Sequence, residues 1–133
     1  MSGFQTSKAT ALCASLLLTF AAMTPPSALA LGDISAGEDT FYSECADCHS
    51  VKPGRNKKGP SLDAIVGRKS GSVSDYHYSD AMKAADITWS AEKIAEYVTE
   101  PKKIVPGTKM KYEGLDDAKA RDDLLAYLNS LSH

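Results

Sequence analysis

The chain has 133 residues and a formal net charge of −2, from 15 Lys and Arg against 17 Asp and Glu. Its length suits a single domain, and its negative balance argues against binding to the phosphate backbone of nucleic acids. It contains no internal repeat and no low-complexity tract.

The first 30 residues have the pattern of a secretory signal peptide. Lys8 is their only charged side chain, and it is followed by an apolar run from Ala9 to Met23, a Pro25–Pro26 break and small residues that end at Ala30. The run is shorter than the roughly 20 apolar residues that span a bilayer as a helix. This favours a cleaved signal over the alternative of a retained membrane anchor. We predict cleavage after Ala30 and one mature domain over residues 31–133.

The first part of the mature chain predicts short helices joined by polar loops. Asp33 or Ser35 can cap a first helix that runs toward Cys45. A loop and a short helical turn at 61–67 follow. A second loop then leads to a short helix at 79–86.

The second part predicts two longer helices around one loop. Ser90 can cap a helix that stops before Pro101. Proline and glycine then mark residues 100–114 as a loop. Asp116 or Asp117 can start the last helix, whose apolar stripe consists of Ala120, Leu124, Leu128 and Leu131.

Residues 45–49 read Cys-Ala-Asp-Cys-His, and four chemistries use such a pair of cysteines. A thioredoxin-like pair would follow a strand, and no strand-like run precedes Cys45. A structural zinc ion needs four ligands, and the chain has no second pair at finger spacing. A disulfide across so short a gap would add little stability and leave His49 unexplained. The fourth chemistry is covalent haem attachment, whose signature is C-x-x-C-H.

Haem attachment explains both the spacing and the histidine. Two thiols that add to the vinyl groups on one haem edge must lie about one helical turn apart, and the adjacent imidazole can then bind the iron. Cleavage at Ala30 removes Cys13 and leaves Cys45 and Cys48. Thioether formation consumes both, which removes the problem of free thiols in an oxidising compartment. We predict haem c at Cys45 and Cys48 with His49 as an axial ligand.

A second axial ligand has four candidates in the mature chain, namely Met82, Met110, His77 and His133. Methionine is usually core filling, and a surface histidine is usually only solvated. Met110 differs because it lies in the loop at 100–114 rather than on a helix face. An apolar thioether on such a loop needs something to bury it.

These segments resemble the class I cytochromes c, the small monohaem type related to mitochondrial cytochrome c and its bacterial periplasmic relatives. The likeness extends from about Gly37 to Leu128 and rests on AGEDTFYSECADCHSV, KKGPSLDAIVGRKSG, YSDAMKAADITW, YVTEPKKIVPGTKM and RDDLLAYL. It implies an all-α fold of four to five short helices wrapped around one covalently attached haem c. It further implies that His49 and Met110 are the axial ligands, and that Gly37 and Tyr127 lie where the first and last helices cross.

The resemblance also assigns residues around the haem. Pro60 should accept the Nδ1–H of His49, which fixes the tautomer and strengthens the ligand. Tyr97 should hydrogen-bond the Met110 sulfur. The buried haem propionates need donors or a positive partner, and the expected ones are Arg68, Tyr78, Trp89 and Thr108. The chain departs from most relatives at Met82, where they carry an asparagine near a propionate.

A haem iron with both axial positions filled has no site for substrate, so the resemblance implies a one-electron carrier rather than an enzyme. Basic residues concentrate in segment 52–69, after His49, and in segment 102–111, around Met110, so we expect them to form a ring around the exposed haem edge. We predict a soluble periplasmic monomer that docks on the acidic faces of membrane redox complexes. The family suggests a cytochrome-reductase-type donor, and an oxidase, photosynthetic centre or reductase as acceptor.

Two other functions stay open. If Met110 leaves the iron, a five-coordinate haem could act as a peroxidase or bind small ligands. If residues 9–23 are retained as an anchor, the protein is a membrane-held electron relay. Neither nucleic acid nor a small-molecule substrate is a predicted partner.

Overall fold

The structure is a computed structural model that describes residues 1–3 and 32–132. The predicted signal peptide lies outside the described residues from residue 4 onward, and so does His133. Within the described part of the chain the secondary structure is helical and has no strand, and an isolated bridge pairs Lys69 with Thr88. This confirms the predicted all-α fold. No helix in residues 1–3 and 32–132 is long and apolar enough to cross a bilayer.

The helices follow the predicted order. Between residues 32 and 132 there are five α-helices and one π-helical turn that continues the first of them. Their bounds are α1 Ile34–Thr40, the π-helical turn Phe41–Cys45, α2 Asp80–Ala84, α3 Ala91–Thr99, α4 Pro101–Ile104 and α5 Ala118–Ser130.

Polar side chains start four of these helices. Each accepts a hydrogen bond from the backbone amide three residues further on, one of the four amides that a helix start leaves unpaired. The caps and their distances are Asp33 at 2.9 Å, Ser79 at 3.1 Å, Ser90 at 3.2 Å and Asp117 at 2.8 Å. The structure therefore confirms the cap predicted at Ser90 and selects Asp33 and Asp117 from the predicted alternatives.

Two predicted elements differ from the structure. Residues 61–67 form turns and not a helical turn, because Ala64 has a φ of 45°, which an α-helix does not allow. The loop predicted at 100–114 begins with the short helix α4. Pro101 ends α3, as predicted, and it also starts α4, since its fixed φ and missing N–H are compatible with the first helical position.

The first and last helices cross at Gly37, as the resemblance implied. Gly37 is buried against α5, and a Cβ atom on it would overlap the backbone carbonyl of Asp123 and lie 2.9 Å from Cβ of Tyr127. Phe41 packs against the Tyr127 ring with centroids 5.8 Å apart. Close contact between these helices brings the π-helical turn beside α5 and so fixes where the chain turns toward Cys45.

A buried carboxylate ties the start of the domain to α5. Asp123 is 4% exposed and accepts the backbone N–H of Asp33 at 2.7 Å and the ammonium of Lys119 at 2.6 Å. These two bonds lower the pKa of Asp123, and the bond from Lys119 is the larger cause. The carboxylate thus stays charged at neutral pH and holds the entry to α1 in place.

Candidate functional site

An apolar cavity of about 430 Å³ opens between the helices and the long loops. The ten predicted site residues all line it, and they come from every part of the domain: Cys45, Cys48, His49, Pro60, Arg68, Tyr78, Trp89, Tyr97, Thr108 and Met110. The fold therefore brings together residues that are up to 65 positions apart in sequence. A cavity of this size surrounded by polar groups at a few points has the character of a cofactor site.

The two cysteines lie at the end of the π-helical turn. The amides of Cys48 and His49 both donate to the carbonyl of Cys45, at 3.0 and 2.8 Å, which curls the CADCH segment into a tight turn. The two thiols are free, Cys45 half-buried and Cys48 exposed. Burial raises the pKa of Cys45 to about 12, with smaller contributions from Glu44 and Cys48. Before a haem is attached, the Cys45 thiol is therefore protonated at neutral pH.

His49 has one ring nitrogen fixed by the backbone. Its Nδ1 lies 2.8 Å from the carbonyl oxygen of Pro60, so Nδ1 donates and Nε2 keeps its lone pair. Burial is the main cause of the lowered pKa of His49. The hydrogen bond to Pro60 acts in the opposite direction and raises the pKa. A Cβ on Gly59 would lie within 2.8 Å of Nδ1, so only glycine lets the backbone pass so close to the ring. The neutral imidazole with a free Nε2 is the form that binds a metal.

The loop that carries Met110 is fixed through a hydroxyl. Thr108 Oγ1 accepts the amide of Met110 at 3.2 Å and lies 2.7 Å from the hydroxyl of Tyr97. Either hydroxyl can be the donor in the Tyr97–Thr108 contact, so the predicted bond from Tyr97 to the Met110 sulfur stays a prediction. The Thr108 hydroxyl, expected among the propionate partners, is engaged by these two groups.

Arg68 brings a partly buried cation to the cavity. Its Nη1 donates to the carbonyl of Asp63 at 2.9 Å and its Nη2 to that of Ser61 at 2.7 Å. Its Nε is buried and has no hydrogen-bond partner among the described residues. Burial also raises the pKa of Tyr78, a second donor that lines the same cavity. Buried donors are nearly always paired, so this side of the cavity has the chemistry to hold an anionic group.

Trp89 is an aromatic anchor of the cavity wall. It is 7% exposed, and its ring centroid lies 5.1 Å from that of Tyr97. The backbone amide of Trp89 donates to the carbonyl of Arg68 at 2.9 Å. Trp89 therefore holds the Arg68 segment against the α3 side of the cavity.

The other candidate ligands are placed differently. Met82 is 9% exposed and lines the cavity, so a second thioether is available there. His77 is exposed and is not among the residues that line the cavity, and its carbonyl accepts the Lys109 ammonium at 3.1 Å. His133 lies outside the described residues.

Sequence reasoning missed most of the apolar lining. These residues come from the turns after Pro60, from α3 and from α5: Leu62, Ile65, Ile94, Val98, Leu124 and Leu128. For the residues of α3 and α5, helical spacing was the available signal, and it indicates a buried face without showing whether that face meets another helix or a cofactor.

A contact between Tyr112 and Glu44 was also missed. The Tyr112 hydroxyl donates to Glu44 Oε2 at 2.7 Å, and both residues line the cavity. Burial, and then this bond, raises the pKa of Tyr112, so the hydroxyl is a stable donor at neutral pH. The two residues are 68 positions apart, and no sequence pattern pairs them.

The predicted ring of basic residues is only partly correct. Lys58, Lys109 and Lys111 line the cavity and are exposed. Three other lysines of the same segments form ion pairs with nearby acids: Lys69 with Asp86 at 2.9 Å, Lys102 with Glu113 at 2.8 Å and Lys103 with Glu100 at 2.7 Å. Arg68 lies in the cavity wall. The basic surface at the cavity is therefore smaller than the sequence indicates.

The residues around the cavity fit a haem c. Two free thiols lie on one tight turn, and a neutral imidazole and a thioether lie on the walls of the same cavity. These are the groups that attach haem c and ligate its iron. The unpaired Nε of Arg68 suits a propionate, and the apolar lining suits the macrocycle.

Comparison with known proteins agrees with a haem c site. Residues 34–132 match the family Cytochrome c. Cytochrome c from Gibberella zeae is 50% identical over 101 residues, which are 75% of this chain and 95% of that protein. Cytochrome c from Arabidopsis thaliana is 46% identical over 98 residues, 73% of this chain and 88% of that protein. Cytochrome c2 from Rhodopila globiformis is 45% identical over 100 residues, 75% and 94% of the two chains. The chain therefore belongs to the cytochrome c family, as an electron-transfer protein, not an enzyme, with one covalently attached haem c.

Proposed function

We propose that Cys45 and Cys48 hold the haem through thioether bonds and that His49 and Met110 are the axial ligands of its iron. The observation that carries this proposal is that one cavity is lined by both thiols, by an imidazole whose Nδ1 is engaged with Pro60, and by Met110. When bound, haem c supplies a one-electron couple. The chain's own part is to exclude water with apolar walls, to fix the His49 tautomer and to balance a buried anion with Arg68.

The Met110 ligand is tested by absorption spectroscopy of the ferric protein. Wild type should show the weak far-red band of an iron–thioether bond, and Met110→Ala should abolish it because no sulfur then reaches the iron from that loop. Met82→Leu is the matched control, since Met82 also lines the cavity, and it should keep the band. If the band is lost in Met82→Leu and kept in Met110→Ala, Met82 and not Met110 is the axial ligand.

We further propose that the carrier exchanges electrons with membrane-bound redox complexes through the basic surface formed by Lys58, Lys109 and Lys111. These exposed lysines line the opening next to the proposed ligand Met110. Acidic faces of a reductase-type donor and an oxidase, photosynthetic centre or reductase acceptor would be attracted to it, with a rate that falls as ionic strength rises.

Neutralising two of these lysines should slow electron delivery. Lys109→Gln/Lys111→Gln should reduce the rate at which source membranes oxidise the reduced protein about tenfold at low ionic strength, because steering by charge is lost. The control Lys83→Gln/Lys93→Gln removes the same charge at two lysines that do not line the cavity. Equal rates for the two double variants, or rates independent of salt, would contradict docking at this surface.

The proposed compartment is the periplasm, reached by cleavage of the signal peptide after Ala30. Support comes from the sequence pattern of residues 1–30, with Lys8 before a short apolar run. The mass of the protein after export decides between the alternatives, because a chain that starts at residue 31 has no anchor and a full-length chain in the membrane is a tethered relay.

A further inference from the structure

The stretch that carries Met110 is weakly held by its backbone. The amide of Thr108 bonds to the carbonyl of Val105 at 3.0 Å, and the amide of Leu115 bonds to the carbonyl of Val98 at 2.9 Å. Between Thr108 and Leu115, no backbone–backbone hydrogen bond forms within residues 32–132. Side-chain contacts must therefore keep this stretch against the cavity.

The contact between Thr108 and Tyr97 holds one end of the stretch, and the bond from Arg121 to the Leu115 carbonyl holds the other. Between these ends, three side-chain contacts link residues 109–114 to the rest of the domain. Lys109 reaches the carbonyl of His77 at 3.1 Å, and Glu113 pairs with Lys102 at 2.8 Å. Both are exposed contacts of flexible charged side chains, a class that contributes little in water. The third is the bond from Tyr112 to Glu44 at 2.7 Å.

The Tyr112 contact differs from the other two in its chemistry. Its acceptor, Glu44, is an exposed carboxylate, so the bond is charge-assisted, as the Lys102–Glu113 pair also is. Its donor is the partly buried, rigid Tyr112, which loses less side-chain freedom in forming the bond than a lysine does. Glu44 directly precedes Cys45, so the bond joins the Met110 stretch to the turn that carries the cysteines and His49. It thus connects the two chain segments that supply the proposed haem attachment and axial ligands.

We propose that the Tyr112–Glu44 bond is a clasp that keeps Met110 at the cavity and sets how readily an outside ligand displaces it from the iron. The inference rests on the proposed function, because it takes Met110 as the axial ligand. Tyr112 and Glu44 are positioning residues, since they act on Met110 through the chain and do not themselves ligate the iron. Breaking the clasp favours the open arrangement of the stretch and leaves the rest of the domain folded.

Imidazole titration of the full ferric protein tests the clasp, with loss of the far-red band as the signal. Tyr112→Phe keeps the ring and removes the hydroxyl, and it should make imidazole binding about tenfold tighter, since one charge-assisted bond no longer opposes opening. Glu44→Gln keeps a neutral acceptor and should give a smaller increase. Tyr42→Phe is the matched control: it removes a hydroxyl from the same π-helical turn that carries Glu44, at a residue that is 61% exposed and does not line the cavity.

Limited trypsin digestion gives a second readout that does not depend on the iron ligand. Lys109 and Lys111 flank Met110, and cleavage after them should be several-fold faster in Tyr112→Phe and unchanged in Tyr42→Phe. A wild-type protein without the far-red band would overturn Met110 as ligand, while digestion still decides the clasp. Wild-type imidazole affinity and digestion rate in Tyr112→Phe, or equal increases in Tyr42→Phe, would overturn the clasp.

Discussion

Replacing Gly37 with alanine is expected to lower the free energy of unfolding by about 3 kcal/mol, as overpacking of a tight contact does. The added Cβ would overlap the backbone carbonyl of Asp123 and approach the Tyr127 Cβ to 2.9 Å. A carbonyl inside α5 cannot rotate away without breaking the helix, so the two helices must separate. Separation would loosen Phe41 from Tyr127 and disturb the turn that leads to Cys45.

Helix propensity alone predicts that Gly37→Ala raises the free energy of unfolding, so the direction of the measured change decides between the two effects. Alanine in a helix interior is favoured over glycine by about 1 kcal/mol, so Gly37→Ala would stabilise the protein if the crossing had room. Guanidinium unfolding of the haem-loaded protein, followed by far-ultraviolet circular dichroism, measures the difference. Ser35→Ala on the exposed side of α1 is the control and should change little. A Gly37→Ala protein as stable as wild type would contradict the close crossing.

The sequence limited the predicted helix caps, which depend on near neighbours, to one or two candidate residues, and the structure selected Asp33 and Asp117. Caps at Asp33, Ser90 and Asp117 need only a polar side chain and the amide three residues on. The CADCH turn is likewise local, since the amides of Cys48 and His49 bond back to Cys45. Such features follow from short-range hydrogen bonding, which residue type and spacing determine.

Features that depend on distant partners were not predictable in the same way. The 2.7 Å contact between the Tyr97 and Thr108 hydroxyls depends on how the Met110 loop packs against α3. The clasp joins positions 44 and 112, which share no periodicity. The positive charge of Lys102 is balanced by Glu113, because the folded loop places the two side chains next to each other. Each of these is set by packing after the chain has closed around the cavity.

Replacing Arg68 with leucine should lower both the stability and the midpoint reduction potential of the haem-loaded protein. The carbonyls of Ser61 and Asp63 lose their charged donors, at 2.7 and 2.9 Å in the structure. Leaving two partly buried acceptors unpaired costs about 3 kcal/mol. Removing a partly buried positive charge from the cavity also disfavours the reduced iron, which carries one positive charge fewer than the oxidised iron, so the potential should fall.

Two further variants separate charge from hydrogen bonding. Arg68→Lys keeps the positive charge but lacks the planar guanidinium that reaches both carbonyls. Stability should therefore fall, while the midpoint reduction potential should stay close to that of wild type. Arg121→Leu removes a comparable bond, from Nη1 to the carbonyl of Leu115 at 2.6 Å, at a residue that does not line the cavity. It should cost stability without moving the potential. If Arg68→Leu and Arg121→Leu shift the potential equally, Arg68 acts only by holding its loop, and the charge that balances the buried anion must come from another group.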